Sequence, residues 1–219
     1  MNIEGEKELF AAADAALPLG ERALLGELAV FVAHRLQTAA HVRERVGLLL
    51  SASAEAERLQ MEVHTFLREC WDVLDGLGRQ VNVCLYGLFP DAGLDPPERM
   101  TRQCTFYTVR RALHRAPSAA THPVSELLWE QTRVEPDPAY TRLSFLYNLS
   151  LFVPVPLPGG DSLPGTGDLP AHVQGVIRAA QAEGCGIEEG LDEILDWLRD
   201  FVAQCYSLMA YALERRAVQ

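Results

Sequence analysis

Between residues 59 and 88, hydrophobic positions recur every three or four residues, which is the spacing of one face of an α-helix. At about 1.5 Å per residue, this pattern predicts a single helix roughly 45 Å long. The stripe consists of Leu59, Val63, Phe66, Cys70, Leu74, Leu77, Val81, Cys84 and Leu88. We therefore expect a long central helix that fixes the architecture around it.

Two glycines, Gly76 and Gly78, lie inside this predicted helix. Each costs about 1 kcal/mol of helix stability relative to alanine. The usual compensation is the close approach of a neighbouring helix, or a bend. A ligand pocket between helices is the alternative, because helical bundles host such sites.

Proline, glycine and capping signals divide the rest of the chain into further helices. Residues 18–20 separate predicted helices over 4–17 and 20–49, and Ser51 and Ser53 offer an N-cap to the long helix. Proline and glycine in residues 89–93 end that helix. Asp95, two prolines and a glutamate predict a helix from Pro96 to about Arg115.

The second half of the chain repeats these signals. His122 and Pro123 open a predicted helix to about Thr132, and residues 137–138 open another through Tyr147. Residues 153–170 hold nine prolines and glycines, which predicts an irregular surface loop. Two helices, over 170–183 and 187–215, complete the chain. We find no strand pattern and predict one all-α domain over 1–219, an antiparallel helical bundle whose core spans about 20–215.

Composition excludes several classes of protein. Hydrophobic residues make up 48% of the 219 positions, enough for a full core, and the net charge is −11. That charge argues against a nucleic-acid partner bound by bulk electrostatics. The N-terminus has no signal-peptide layout and no run is apolar enough to cross a membrane, so we expect a soluble, cytoplasmic protein. The cysteines form no CxxC pair and are expected to be buried free thiols: Cys70, Cys84, Cys104, Cys185 and Cys205.

Metal and cofactor motifs are missing from the sequence. There is no ExxH or HxxxH pair, P-loop, GxGxxG or GxSxG. His34 and His41 are seven residues apart and could share a helix face, but ordinary polar or half-buried histidines are the simpler interpretation. We expect no metal site, no cofactor and no catalytic residue.

Two charged segments have alternative interpretations. The acidic residues Glu188, Asp192, Asp196 and Asp200 recur at i, i+4 and predict a solvated helix face, with a docking surface for a basic partner as the alternative. A second segment is rich in arginine and contains Phe106 and Tyr107; its arginines are Arg99, Arg102, Arg110, Arg111 and Arg115. Pairing with neighbouring acidic faces is favoured for these arginines, and RNA binding is the alternative.

The order of several segments resembles the HEPN superfamily of helical domains, many of which are metal-independent RNases or inactive relatives. The resemblance lies in residues 71–75 (WDVLD) leading to residues 80–82 (QVN) on the long helix. It continues in residues 106–110 (FYTVR) and 139–150 (AYTRLSFLYNLS). It implies a HEPN-like bundle over about 20–215 and a tendency to form homodimers.

Active members of this superfamily carry an arginine, often followed by asparagine, and a histidine four to six residues later. Here Tyr147 and Asn148 stand at the Arg-Asn positions, and Phe152 or Val153 at the histidine position. Arginine–histidine pairs at similar spacing occur elsewhere: Arg35 with His41, Arg58 with His64, and Arg115 with His122. None is predicted to place both groups on one suitable helix face, and Pro117 interrupts the last pair.

The sequence therefore predicts a non-catalytic interaction module that binds a protein partner or a second copy of itself. Trp71, Trp129 and Trp197 are candidate core or interface anchors, with the core favoured for Trp71. One alternative is an RNase with an atypical Arg/His site, for which a histidine beside Arg142 would be the sign. Another is a small-molecule binder with a pocket near Gly76 and Gly78.

Overall fold

The computed structural model describes residues 3–52, 56–100, 103–132, 138–150 and 187–218, and within these ranges the chain forms seven α-helices and no strand. The helices are α1 (Glu6–Ala16), α2 (Leu19–Ser51), α3 (Ala56–Leu85), α4 (Phe106–Arg115), α5 (Pro123–Glu130), α6 (Pro138–Ser150) and α7 (Ile187–Ala217). The predicted all-α bundle is confirmed. The predicted loop over 153–170, the helix over 170–183 and the cap at Ser53 lie outside the described residues.

Helices α2 and α3 pack against each other as a long antiparallel hairpin. Arg45 of α2 pairs with Glu62 of α3 at 2.8 Å, and Arg35 pairs with Glu69 at 2.9 Å. As residue numbers fall along α2 they rise along α3, so the two helices run in opposite directions. Ser51 completes the last turn of α2, where its hydroxyl donates to the Gly47 carbonyl at 2.7 Å, instead of preceding α3 as a cap.

Helix α3 is the centre of the bundle, as its hydrophobic stripe predicts. Every stripe residue from Leu59 to Cys84 is buried. The prediction is wrong for Leu88, because the helix ends at Leu85 and Leu88 lies in the following turn. Residues 80–85 are all buried, so this end of α3 is enclosed on every side. Helix α7 lies alongside it in the same direction, with α1 packed against α7.

The two glycines of α3 mark close contacts with two different helices. A Cβ atom at Gly76 would lie 2.8 Å from Val32 Cγ2 of α2. A Cβ atom at Gly78 would lie 2.5 Å from the backbone Cα of Phe106, the first residue of α4. The expected close helix contact is confirmed, because atoms of the neighbouring helices occupy the space where a Cβ atom would lie at either glycine.

The predicted helix from Pro96 to Arg115 is wrong in its first half. Among the described residues of that half, a 3₁₀ turn over Pro97–Arg99 is the only helical segment, and α4 begins at Phe106. The reason lies in two competing sets of hydrogen bonds. Asn82 of α3 binds the backbone of Asp95, accepting from its N–H at 3.0 Å and donating to its carbonyl at 2.7 Å. Thr105 then caps α4 reciprocally with Thr108.

The cysteines follow the prediction wherever the structure describes them. Cys70, Cys84, Cys104 and Cys205 are buried free thiols, whereas Cys185 lies outside the described residues. Burial raises the pKa of the Cys104 thiol to about 11, and it raises the pKa values of the other three further. None of the described helices combines the length and hydropathy that crossing a membrane requires.

Candidate functional site

Helix α4 has one buried face and one exposed basic face. Phe106, Val109 and Leu113 recur at i, i+3 and i+7 and pack into the core. Five of the other seven positions carry aromatic or basic side chains that do not enter the core; they are Tyr107, Arg110, Arg111, His114 and Arg115. The hydrophobic spacing of α4 therefore directs these five residues towards one side of the helix.

Helix α5 turns this basic face into a cleft. The chain leaves α4 at Ala116, turns through residues 117–122 and re-enters a helix at Pro123, which places Trp129 against α4. The resulting cleft has a volume of about 330 Å³. It is lined by Tyr107, Arg110, Arg111, His114, Arg115 and Trp129. Among the described residues, no acidic side chain is part of this lining.

Trp129 is held by two residues of α4. The His114 ring stacks on the indole with 3.4 Å between ring centroids and 4° between planes. The Arg110 guanidinium carbon lies 4.5 Å from the indole centroid, a cation–π contact. Burial lowers the pKa of Arg110, which Tyr140 and Tyr107 partly offset, but an arginine stays charged at neutral pH. The cleft thus has a rigid aromatic wall and a fixed positive charge.

The sequence favours pairing of the α4 arginines with acidic residues, but the described arginines of this segment do not pair in this way. Within the described ranges, neither Arg110 nor Arg111 nor Arg115 makes an ion pair. The same holds for exposed Arg99, and Arg102 lies outside the described residues. The pairing prediction is wrong for the cleft because the described carboxylates of α1, α3 and α7 pair with other arginines, whereas the α4 side facing α5 receives none of them.

The described residues at which the sequence resemblance would place a HEPN catalytic motif make contacts within the bundle. Arg142 pairs with Glu193 of α7, with no histidine beside it among the described residues. The Tyr147 ring stacks on Trp71 with centroids 4.8 Å apart. The Asn148 amide donates to the Ser144 carbonyl on its own helix at 2.6 Å. Phe152 and Val153 lie outside the described residues.

The Arg–His pairs on α2 and α3 place their residues in separate environments. Arg35 binds Glu69 through two hydrogen bonds of 3.0 and 2.9 Å, whereas His41 is exposed to solvent on α2. Arg58 is exposed near the start of α3 and His64 is half-buried. Neither pair forms a common site.

His122 serves as the N-cap of α5 instead of pairing with Arg115. Its Nδ1 accepts a hydrogen bond from the Val124 N–H at 3.3 Å, and its ring packs edge-on against Phe89. Burial and the positive charge of Arg215 lower the pKa of His122, so the neutral ring that the cap requires is favoured.

The two histidines considered for a metal site, His34 and His41, are both exposed on α2. Across the described part of the chain, no group of three or more histidine, cysteine, aspartate or glutamate side chains is arranged to hold a metal ion. Within these ranges, the side chains of His34 and His41 therefore do not belong to any such group of metal-ligating residues.

The acidic series of α7 is divided between internal pairing and solvent. Asp192 pairs with Arg43 of α2, and its side chain is less exposed than that of Asp196, the next residue of the series. Asp196 is 74% exposed and lies 3.3 Å from Arg199 on the same helix. Asp200 is exposed, and the side chain of Glu188 lies outside the described part. This arrangement agrees with a largely solvated face.

The three tryptophans occupy three different settings. Trp71 is half-buried against Tyr147, and Trp197 stacks on Phe201 with centroids 5.2 Å apart. Only Trp129 lines the cleft.

Sequence reasoning selected Tyr107 and the arginines of α4 but missed His114 as a neighbour. The signal was present, since His114 follows Arg110 by four residues and therefore shares its face.

The arginines and aromatic rings of the cleft can bind an anion next to an aromatic surface. Guanidinium groups form paired hydrogen bonds with carboxylates and phosphates, and aromatic rings add apolar contact area. Comparison of the chain with protein-family models, with curated proteins and with solved structures finds no match in any of the three.

Proposed function

We propose that this protein is a non-catalytic, HEPN-like interaction module and that the α4–α5 cleft is its binding site. The observation that carries the proposal is the unpaired basic cluster of Arg110, Arg111 and Arg115 beside Trp129. In a chain of net charge −11, three arginines without carboxylate partners in the described ranges keep an electropositive recess open. Such a recess is a binding surface for a partner that carries negative charge.

The contacts of the α6 residues at the HEPN-like positions support a binding role rather than catalysis. Arg142 is neutralised by Glu193, and Tyr147 is stacked on Trp71. Cleavage of RNA by general acid–base catalysis requires a base, an acid and a cation at the scissile phosphate. These α6 side chains instead hold α6 against α3 and α7.

Isothermal titration calorimetry tests the proposed binding site. The probes are inorganic pyrophosphate, a short polyglutamate peptide and a short oligouridylate, each titrated into the full chain. We expect saturable binding of at least one probe, and its loss in Arg111→Glu. Arg58→Glu is the matched control, because Arg58 is also exposed on a helix and its replacement changes the net charge equally. If no probe binds, or if both variants behave alike, the cleft is not the binding site.

A second candidate function is RNA cleavage in the same cleft, because His114 lies among three arginines there. This site differs from every Arg–His pair that the sequence indicates. Incubation of the protein with single-stranded and structured RNA distinguishes the two functions. Cleavage that is lost in His114→Ala and retained in His41→Ala, His64→Ala and His122→Ala would replace the binding role by the RNase role.

Self-association is the remaining part of the proposal, and it comes from the HEPN resemblance. Light scattering coupled to size exclusion measures it directly. A mass of twice 24.2 kDa is expected for a homodimer. A strict monomer that binds none of the anionic probes would contradict the interaction role as a whole.

A further inference from the structure

We infer that the ligand of the α4–α5 cleft is a short acidic segment of a partner protein, bound through its carboxylates. This inference rests on the proposed function, because it names the chemical class of ligand that the same cleft accepts. Four features carry it: the spacing of two exposed arginines, the unmet hydrogen-bonding capacity of a third, the aromatic side chains beside them, and the small volume of the cleft in a chain of net negative charge.

Arg111 and Arg115 are both exposed and lie one helical turn apart on α4. Side chains at i and i+4 are separated by about 5–6 Å at their Cβ atoms. In an extended peptide, alternate side chains on the same face are about 6.6–6.8 Å apart, because each residue advances 3.3–3.4 Å. Two carboxylates at alternate positions therefore match two guanidinium groups, and each pair can form parallel hydrogen bonds.

Arg110 supplies a third, more deeply placed cation. Its Nε atom is buried and has no hydrogen-bond partner, and its guanidinium carbon lies over Trp129. A buried charged group without a counter-charge is costly, so an anion entering the cleft would gain from Arg110 more than from a solvated arginine. The fixed position of Arg110 also reduces the conformational entropy lost on binding.

Two aromatic side chains suit a ligand that has apolar as well as acidic groups. Tyr107, which lines the cleft, is 55% exposed and is one of seven large hydrophobic side chains that the described residues leave exposed. Trp129, on α5, is the second aromatic side chain of the lining. A peptide with an aromatic or aliphatic side chain between its carboxylates would cover Tyr107, and this contact adds affinity that inorganic anions cannot supply.

The size of the cleft favours a peptide over a nucleic acid. A volume of about 330 Å³ holds a few side chains. A nucleic-acid strand carries a charge on every nucleotide and would continue beyond the cleft over a protein of net charge −11. Charges within about 8 Å interact strongly at physiological salt, so a ligand confined to the cleft mainly meets the arginines. A longer polyanion would also contact the protein surface outside the cleft, and the net negative charge of the chain would repel it there.

The test compares four ligands by calorimetry on the full chain. The first is a capped octapeptide with glutamates at alternate positions and one phenylalanine; the second replaces each glutamate by glutamine. Octauridylate and pyrophosphate are the others. We expect the acidic peptide to bind at least tenfold tighter than each of the other three, with an affinity that falls as salt is raised. Arg111→Glu should weaken it at least tenfold, and Arg58→Glu less than twofold.

Each alternative outcome decides a different question. Tighter binding of octauridylate or pyrophosphate, still sensitive to Arg111→Glu, would overturn the acidic-peptide inference and leave the proposed binding site standing. Equal binding of the glutamate and glutamine peptides would overturn it as well, because carboxylates would then not be recognised. If none of the four ligands binds, the proposed function fails together with this inference. Circular dichroism melting curves of both variants confirm that they are folded.

Discussion

The carboxylate of Asp75 on α3 accepts a hydrogen bond of 2.9 Å from the backbone N–H of Phe106, the first residue of α4. The first N–H groups of a helix have no partner inside the helix, so a neighbouring helix here supplies an acceptor. The negative charge also lies at the positive end of the α4 dipole. Asp75 therefore fixes where α4 begins, and with it the position of the cleft.

Removal of this acceptor is expected to loosen α4. Asp75→Ala leaves the Phe106 N–H without a partner and should lower the free energy of unfolding by about 1–2 kcal/mol. Urea denaturation monitored by circular dichroism measures the change. Asp75→Asn is the matched control, since its amide oxygen can still accept the hydrogen bond. If Asp75→Ala is as stable as the original chain, the contact does not anchor α4.

Alanine substitutions at three glycines should have effects of opposite sign. Gly78→Ala places a Cβ atom 2.5 Å from the Phe106 backbone, and we expect a net loss of about 1–3 kcal/mol. Gly76→Ala meets side-chain atoms of Val32 and Phe31, which can shift, so its cost should be smaller. Gly26→Ala in α2 meets nothing within 4 Å and should stabilise the chain by about 0.5–1 kcal/mol.

Thermal and urea unfolding of these three variants provide the measurement. The order of stability is expected to be Gly26→Ala, then Gly76→Ala, then Gly78→Ala. A Gly78→Ala variant that is more stable than the original chain would show that α4 does not approach α3 as closely as the structure indicates.

Acidification is expected to weaken the N-terminus of α5 through His122. The folded-state pKa of His122 is below the ordinary value of 6.5, so the unfolded chain takes up the proton more readily. The stability contributed by the neutral ring is therefore present above about pH 6.5 and is lost as the pH falls through the lower folded-state pKa. Protonation also removes the Nδ1 acceptor for Val124, a cap worth about 1 kcal/mol.

The measurement is the free energy of unfolding between about pH 7.5 and pH 5, in the original chain and in His122→Asn. Asparagine caps helices without titrating in this range, so the variant should lose less stability on acidification. His34→Asn, at an exposed position on α2, controls for the loss of a histidine. Identical pH profiles for all three proteins would exclude His122 as the sensitive group.

The buried pair of Gln80 and Tyr206 is expected to show strong non-additivity. The Gln80 amide donates to the Tyr206 hydroxyl at 3.0 Å between α3 and α7, and the Gln80 carbonyl oxygen has no partner. Tyr206→Phe leaves the amide without its acceptor and should cost about 1–3 kcal/mol. Adding Gln80→Met removes both unsatisfied groups, so the double variant should regain most of that loss.

A double-mutant cycle by urea denaturation tests this pair. The interaction between the two positions is measured as the departure from additive effects. Additive losses from Tyr206→Phe and Gln80→Met would mean that the hydrogen bond contributes little beyond the packing of each side chain.

The fold was predictable from the sequence wherever local signals and burial agree. The α3 stripe from Leu59 to Cys84 has a regular helical spacing, and Gly76 and Gly78 indicate the close contacts that are present. The failure between Pro96 and Thr105 has a physical cause. The capping signal at Asp95 is local, whereas the Asn82 side chain that binds its backbone lies thirteen residues earlier on another helix.

The candidate site was predictable only in part. The arginines and Tyr107 share one face of α4, which helical spacing reveals. The position of Trp129 depends on the turn through residues 116–122, and no periodic pattern describes that turn. Whether arginines are paired depends on contacts such as Arg43 with Asp192, which join residues 149 positions apart. The sequence alone does not indicate which arginines such contacts leave unpaired.

The polar side chains in the second half of α3 have a consequence for how the helices find their alignment. A stripe of similar aliphatic residues tolerates a slide of one helical turn, about 5.4 Å, because one leucine can replace another. Hydrogen bonds do not tolerate such a slide. Asp75 recognises the start of α4, Gln80 recognises Tyr206, and Asn82 recognises the backbone of Asp95. Three separate partners thus select a single register for α3, because a slide of this helix would separate each of the three groups from its partner.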